Sequence, residues 1–343
     1  MGVEKQERYS ALVDAKLRYT IVQKDGVVWN NKYEGNPKAG AVKIPVRDTE
    51  TTVVSYNKQN GAAKSYTNGG YITLDIDKDM AVNEVIDGYD VDAVPDNIVA
   101  DRIDAAGYGL ALQINTDGTA ELLDKATVKG QTTALSKSNV YDRFCDIATA
   151  MTKAKVPAAD RWALVNPDAM NFIRKSSEFI SASNLGDEVK QTGAVGKIAG
   201  FLILEDATLP EHANIICGHK DWCCRVREWT KDIHLQDLSG SGTYIGASAI
   251  QGRTVYGHKV TKSAAIVMDS AVLNPTVEIS TNQATITAGA NATSVKYRVT
   301  TGGVAGAWTA YTAKVTLSSG DVIEAYGIDA DGVRSGIVAK TNS

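Results

Sequence analysis

Hydrophobic and polar positions alternate most clearly between residues 41 and 78. The runs AVKIPVRDTETTVVSY and GGYITLDIDKD are rich in Val, Ile, Thr and Tyr with polar residues in alternation, which favours two β-strands. Between them, Asn60 and Gly61 form a strong turn dipeptide. The pattern therefore predicts a long hairpin with a polar tip. Because an isolated two-stranded ribbon is marginal in water, we expect something else to cover this hairpin.

Two later stretches follow the period of an amphipathic helix. The first is predicted over residues 96–115, with Pro95 suited to its start. Its apolar face consists of Val99, Ile103, Ala106, Leu110 and Ile114. The second is predicted from Ser138 to Lys155 and is closed by Pro157. Its apolar face consists of Val140, Phe144, Ile147 and Met151.

Strands and helices alternate irregularly up to residue 271. WALVNPD predicts a short buried strand, AMNFIRKSS a helix and GKIAGFLILED a further strand, and β-like runs such as CCRVREW and KDIHLQD follow. From residue 272 the pattern becomes short alternating strands separated by turn signals such as Asp331-Gly332, which is typical of a small antiparallel sandwich. The predicted fold class is α+β, followed by a small all-β domain.

Composition and charge narrow the classes of function. The chain has 343 residues, of which 43% are hydrophobic and 22% charged, so it can bury a sizeable core. Its formal net charge of -4 argues against a protein whose main task is to grip nucleic acid through a basic face. No stretch resembles a signal peptide or a membrane span, so we expect synthesis and assembly in a cytoplasm and no membrane partner.

Residues that carry chemistry are few and poorly arranged for it. Cys217, His219, Cys223 and Cys224 lie within eight positions, which superficially suggests zinc. Adjacent cysteines would point to opposite sides of a strand, so buried thiols are the better interpretation. His212, His234 and His258 have no nucleophile beside them in the sequence, and no GxSxG, HExxH or Walker motif occurs. We therefore expect no enzyme activity, no metal and no cofactor.

Five segments together resemble the major capsid proteins of tailed bacteriophages, over residues 5–271. They are ERYSALVDAKL, NNKYEGNPKAGAVKIPVRD, VPDNIVADRIDAAGYGLALQ, TGAVGKIAGFLILED and HLQDLSGSGTYIGASAIQGRTVYGHKV. The resemblance implies the Hong Kong 97-type capsid fold. Its parts would be an N-terminal arm (1–36), an E-loop (37–80), a spine helix (96–115), a peripheral domain (81–130 and 231–258) and an axial domain (131–230 and 259–271).

The same resemblance implies what the chain does. Copies would assemble into hexamers and pentamers of an icosahedral head that encloses double-stranded DNA, in a virion assembled in the host cytoplasm. A separate scaffolding protein, a portal and non-specific contact with packaged DNA would be the other partners. The resemblance also implies that the hairpin lies across a neighbouring copy, which would cover it. The basic side chains of the hairpin would pair with acidic ones of that copy. The basic candidates are Lys43, Arg47, Lys58 and Lys64, and the acidic candidates are Asp101, Asp104 and Glu121.

The alternative for these charges is a solvated ribbon, because exposed ion pairs contribute only about 0 to 1 kcal/mol each. Some relatives form Lys to Asn isopeptide links, but the sequence identifies no acceptor or catalytic carboxylate for that reaction.

Residues 272–343 resemble the immunoglobulin-like modules attached to phage virion proteins, through YRVTTGGVAGAWTAYT and SSGDVIEAYGIDADG. The resemblance implies a module that projects from the outer surface as decoration or as a weak adhesin for bacterial surface glycan. The aromatic candidates for a glycan platform are Tyr297, Trp308, Tyr311 and Tyr326, with packing inside the sandwich as the alternative. Two other classes stay open: a cell-surface glycan-binding adhesin, and a hydrolase with an accessory carbohydrate-binding module.

Overall fold

A computed structural model describes the chain at residues 18, 20–33, 40–46, 53–63, 69–89, 98–176 and 196–342. The three helices there are α1 (Ile98–Lys125), α2 (Val140–Lys153) and α3 (Pro167–Lys175). The strands before residue 271 are β1 (Ala41–Val46), β2 (Gly70–Asp75), β3 (Lys78–Asp87), β4 (Thr127–Lys129), β5 (Arg161–Val165), β6 (Lys197–Ile198), β7 (Phe201–Glu205), β8 (Ala213–His219), β9 (Cys223–Asp237), β10 (Ala247–Val260) and β11 (Val267–Ser270). The later ones are β12 (Thr276–Ser280), β13 (Gln283–Thr287), β14 (Ser294–Thr301), β15 (Val304–Ala305), β16 (Thr309–Ala310), β17 (Val315–Thr316), β18 (Val322–Ile328) and β19 (Val338–Thr341).

The chain divides into two compact units. The first takes its described residues from Asn31–Leu112 and Cys224–Thr261, and the second from Arg18–Asn30, Gln113–Cys223 and Lys262–Ser343. Helix α1 contributes to both, since the division falls between Leu112 and Gln113.

The first unit contains the hairpin and a three-stranded sheet. Strands β1 and β2 pair antiparallel with Ile44 opposite Ile72, which confirms the predicted pairing of the two runs. The sheet has the order β3-β10-β9, and its inner face packs on the start of α1 through Ile86, Ile250 and Ala106. The two runs predicted as CCRVREW and KDIHLQD form one continuous strand, β9.

The base of the hairpin does not depend on a second chain for its cover. Ile44 is 1% exposed and Leu74 is fully buried, and both pack against Cys224 and Val226 of the same chain. The expectation that a neighbouring copy covers the hairpin is therefore wrong for these two strands. Their cover is the chain's own β9.

The second unit is built on a six-stranded mixed sheet of order β4-β11-β8-β5-β7-β6. The predicted apolar face of α2 is confirmed, because Val140, Phe144, Ile147 and Met151 are all buried in its core. The predicted helix is present, but it begins at Pro167, two positions before the predicted start at Ala169: the Asn166 side chain accepts a hydrogen bond of 2.7 Å from the Ala169 amide, and Pro167 takes the first helical position.

Residues 272–342, called the C-terminal module below, form two antiparallel sheets. One has the order β12-β13-β17, and the other has the order β15-β14-β18-β19 with β16 paired to β14. The sheets share a core to which Val277 and Ile286 contribute from one side and Val295 and Ile323 from the other. At one end, a Gly302-Gly303 turn with φ of 58° and 82° joins β14 to β15.

Candidate functional site

The outer end of the hairpin, residues 53–63, is called the ribbon tip below. Asn57 and Gly61 exchange backbone hydrogen bonds of 3.0 and 2.8 Å, and Gly61 has the positive φ of 72° that this tight turn needs. The Asn57 side chain also accepts from the Gln59 amide at 2.8 Å. The predicted turn is therefore confirmed. Val53 and Tyr56 belong to the run predicted as the first strand, but neither lies in a strand, and they are 95% and 74% exposed.

The charged candidates lie at separate places. Lys43 is exposed on β1 opposite Thr73, and Lys58 is exposed in the ribbon tip. Arg47 and Lys64 lie outside the described residues. Asp101 and Asp104 lie in the first two turns of α1, within the first unit, whereas Glu121 lies near the helix end and within the second. The three acidic residues therefore do not form one cluster, and their pairing with another copy stays a prediction.

A second surface was not found from the sequence. On the three-stranded sheet, Trp229 is 48% exposed and the guanidinium carbon of Arg253 lies 5.5 Å from its ring centroid. Arg253 donates from Nε to Asp79 Oδ1 at 2.7 Å and from Nη2 to Oδ2, and this hydrogen bonding lowers the pKa of Asp79. A fixed charge pair thus borders an exposed indole. The sequence feature that could have indicated this surface is a tryptophan inside the polar run RVREWTKD.

The four aromatic candidates form two separate pairs. Tyr297 and Tyr311 meet edge to face at 6.0 Å and pack on the core of the C-terminal module. The Tyr311 hydroxyl also accepts from the Ile286 amide at 3.1 Å. Trp308 meets Tyr326 at 4.7 Å with an angle of 73° between the rings, and these two residues line a cleft of about 600 Å³. The geometry therefore gives two perpendicular pairs, with Tyr297 and Tyr311 committed to packing.

The thiols and imidazoles are placed for packing. Cys217, Cys223 and Cys224 are buried, and burial raises the pKa of the Cys217 thiol well above its usual value. Within the described residues, no group of three or more His, Cys, Asp or Glu side chains is placed to hold a metal ion. His258 is half-buried, and its Nε2 accepts from Arg225 Nε at 2.9 Å. Burial, with the positive charges of Arg225, Arg227 and Lys78, lowers its pKa to about 3.

No described helix is both long enough and apolar enough to cross a membrane.

Comparison with known proteins finds similar structures but no similar sequence family. No family model matches the chain, and no curated protein matches it. A chain of Mycobacterium phage Che8 aligns with a TM-score of 0.67 at 19% identity, over 80% of this chain and 99% of that one. A chain of the capsid of Cyanophage P-SCSP1u aligns with a TM-score of 0.65 at 13% identity, over 77% and 92%. A chain of the capsid of an empty GTA particle aligns with a TM-score of 0.60 at 15% identity, over 77% and 94%.

The chain therefore has the fold of phage capsid proteins, which confirms at the level of the fold the resemblance found in the sequence.

Proposed function

We propose that the chain is a structural protein of a tailed-phage head, a major capsid protein without catalytic activity. One observation carries the proposal: the shared fold extends over 99% of the Che8 chain and 92% of the cyanophage capsid chain. About a fifth of the present chain is left outside each alignment. That share is close in size to the C-terminal module, and the proposal assigns the capsid fold to residues 1–271.

The finer assignment follows the Hong Kong 97-type plan, in which copies form the hexamers and pentamers of an icosahedral head around double-stranded DNA. The proposed parts are an N-terminal arm at 1–36, an E-loop at 37–80, a peripheral domain at 81–130 and 231–258, an axial domain at 131–230 and 259–271, and an immunoglobulin-like module at 272–343. The compact units agree with this plan in part, since the first unit holds the hairpin with β3, β9 and β10, and the second holds the six-stranded sheet. They differ from it in that residues 113–130 and the C-terminal module both belong to the second unit.

The ribbon tip is the proposed contact with the neighbouring subunit. Its apolar side chains Val53 and Tyr56 are exposed in the single chain, while Ile44 and Leu74 of the hairpin base are already buried. Full burial of one such side chain stabilises a contact by about 1.5 to 3 kcal/mol, and a closed shell repeats that contact at every copy. Lys43, Arg47, Lys58 and Lys64 would add charge pairing with Asp101, Asp104 and Glu121, at about 0 to 1 kcal/mol for each exposed pair. Apolar burial therefore dominates the proposed contact.

The remaining partners follow from the same proposal. A scaffolding protein and a portal would guide assembly, and packaged DNA would contact the inner face without sequence preference. The C-terminal module would decorate the outside of the virion. If it binds bacterial surface glycan, the contact falls to Trp308, because it lines the cleft and is only partly buried, whereas Tyr326 beside it is buried.

The test compares the wild-type chain with two variants that make the same chemical change on different surfaces. Val53→Ser alters the ribbon tip, where the side chain is 95% exposed, and Val304→Ser alters the C-terminal module, where it is 75% exposed. Each protein is purified and studied by sedimentation velocity and negative-stain electron microscopy. We expect rings or shells from the wild type and from Val304→Ser, and fewer or none from Val53→Ser.

Two results would contradict parts of the proposal. A wild-type chain that stays monomeric under assembly conditions, including co-expression with a scaffolding protein from the same phage, contradicts a capsid function. Particles formed equally well by Val53→Ser would leave the capsid function intact and refute the assignment of the ribbon tip.

A further inference from the structure

The end of α1 is capped by a residue from the C-terminal module. The last carbonyl groups of a helix have no partner within the helix and carry partial negative charge. Here Nη2 of Arg334 donates to the carbonyl oxygens of Leu123 at 3.0 Å and Asp124 at 2.7 Å, and reaches that of Ala126 at 3.4 Å. The positive guanidinium thus satisfies acceptors about 210 positions earlier in the chain.

The loop that carries Arg334 is held in shape before it makes this contact. The Asp329 carboxylate accepts from the amides of Asp331 at 3.0 Å and Val333 at 2.8 Å. Ser335 Oγ accepts from the Gly327 amide at 2.8 Å and donates to the Gly336 carbonyl. Since the residues on both sides of Arg334 are fixed, little further ordering is needed when its guanidinium binds the helix end.

Contacts beside Arg334 join the same two parts of the second unit. The Asn274 amide donates to the Gln131 carbonyl at 2.9 Å, and His212 Nδ1 lies 2.8 Å from Asp329 Oδ2. At Gly336 the two backbones touch, because an added Cβ would lie 2.1 Å from the Cα of Gly130. Strand β4, which follows α1, also pairs in parallel with β11, the strand that leads into the C-terminal module.

We propose that the C-terminal module has an intramolecular function as a clamp: it holds the C-terminal end of α1 and the segment up to Gln131, with Arg334 as the contact residue. This function goes beyond the proposed one and does not depend on it, because it operates in a single chain. A module attached only for decoration needs no more than a linker. Here its removal would leave the carbonyls of Leu123 and Asp124 without Arg334.

The test is hydrogen exchange measured by mass spectrometry on the full-length chain. Arg334→Ala removes the guanidinium, and Lys314→Ala, an exposed basic residue of the same module, is the matched control. Loss of a hydrogen bond from a charged donor raises the equilibrium constant for local opening by a factor of about ten or more. We therefore expect Arg334→Ala to raise the amide exchange rates about tenfold at residues 122–126 and 271–276. Lys314→Ala should leave both segments unchanged.

A second variant approaches the contact from the opposite side. Gly336→Ala would force the added methyl group into the Gly130 backbone, so the same two segments should exchange faster although Arg334 is kept. Wild-type exchange rates at both segments in Arg334→Ala would overturn the proposal.

If both variants fail to fold, the wild-type chain decides the question by itself. The Ala126 amide, bonded to the Leu122 carbonyl, and the Asn274 amide should be protected to a similar degree and lose protection together in mild denaturant. Loss of protection at Asn274 while Ala126 stays protected would show that the module leaves without affecting the helix, which contradicts the clamp.

Discussion

Acidification should weaken the first unit through one histidine. His258 has a pKa of about 3 in the folded chain against an ordinary value of 6.5, because it is half-buried and surrounded by positive charge. At neutral pH this imidazole is uncharged in both the folded and the unfolded chain, so its protonation costs the folded state no stability there. As the pH falls below 6.5, the unfolded chain binds a proton that the folded chain cannot accept, and stability is lost until the folded imidazole itself titrates.

The magnitude follows from the ordinary pKa of the unfolded chain. Each pH unit within this window removes about 1.4 kcal/mol, so moving from about pH 7 to about pH 5 costs about 2 kcal/mol. The matched variant is His258→Gln, whose side-chain oxygen can still accept from Arg225 Nε but takes up no proton. The free energy of unfolding of the wild type should therefore fall by about 2 kcal/mol more than that of His258→Gln over the same interval.

Two measurements check this reasoning. Proton NMR of the imidazole ring should show His258 still neutral at about pH 5, where an ordinary histidine is charged. Exchange of β10 amides in denaturant reports the stability of the first unit separately from the second. A ring that titrates near 6.5, or identical pH dependence in the two proteins, would falsify the account of a half-buried neutral imidazole.

Three further predictions concern single contacts. Leu74→Ala should destabilise the first unit by about 2 to 5 kcal/mol in urea unfolding, because Leu74 is fully buried against Cys224 and Val226; a loss below about 1 kcal/mol would contradict that packing. Tyr311→Phe should lower the unfolding free energy of the C-terminal module by about 1 kcal/mol, since the Ile286 amide loses its acceptor, and an unchanged melting curve would argue against that bond. Arg253→Ala should raise the pKa of Asp79 toward its usual value in a carboxyl NMR titration, and an unmoved pKa would exclude Arg253 as the cause.

Helix α1 shows how much of a helix the spacing of apolar residues can predict. The apolar stripe predicted the helix up to residue 115, but the structure continues it to Lys125. The added turns bury polar groups: Asn115 donates to Thr208 at 2.7 Å, and Thr119 accepts from Gln23 at 2.7 Å. Those partners lie about 90 or more positions away, so no local pattern could show that these two polar side chains form buried hydrogen bonds.

The same limit explains the hairpin. Alternation identified the paired strands Ala41–Val46 and Gly70–Asp75, but it also predicted strand at residues 53–56, where the structure has none. The residues that cover Ile44 and Leu74 belong to β9, far along the chain. The aromatic candidates depend on strand parity in a similar way. Tyr297 faces the core of the C-terminal module, while its neighbour Lys296 is opposite Tyr326 on the other face. A shift of one position along a strand exchanges its two faces. The sequence therefore could not separate the pair Tyr297 and Tyr311, which packs on the core, from the pair Trp308 and Tyr326, which lines the cleft.

The short turn between β14 and β15 has a practical consequence. Gly302 and Gly303 are exposed, and an added Cβ at either would meet nothing within 4 Å, so the turn supports no core side chain. A peptide inserted between them would lengthen a surface loop, and each doubling of loop length costs only about 0.6 kcal/mol. On a closed particle, such an insertion would be displayed once for every copy of the chain, which turns a weak binding peptide into a multivalent one.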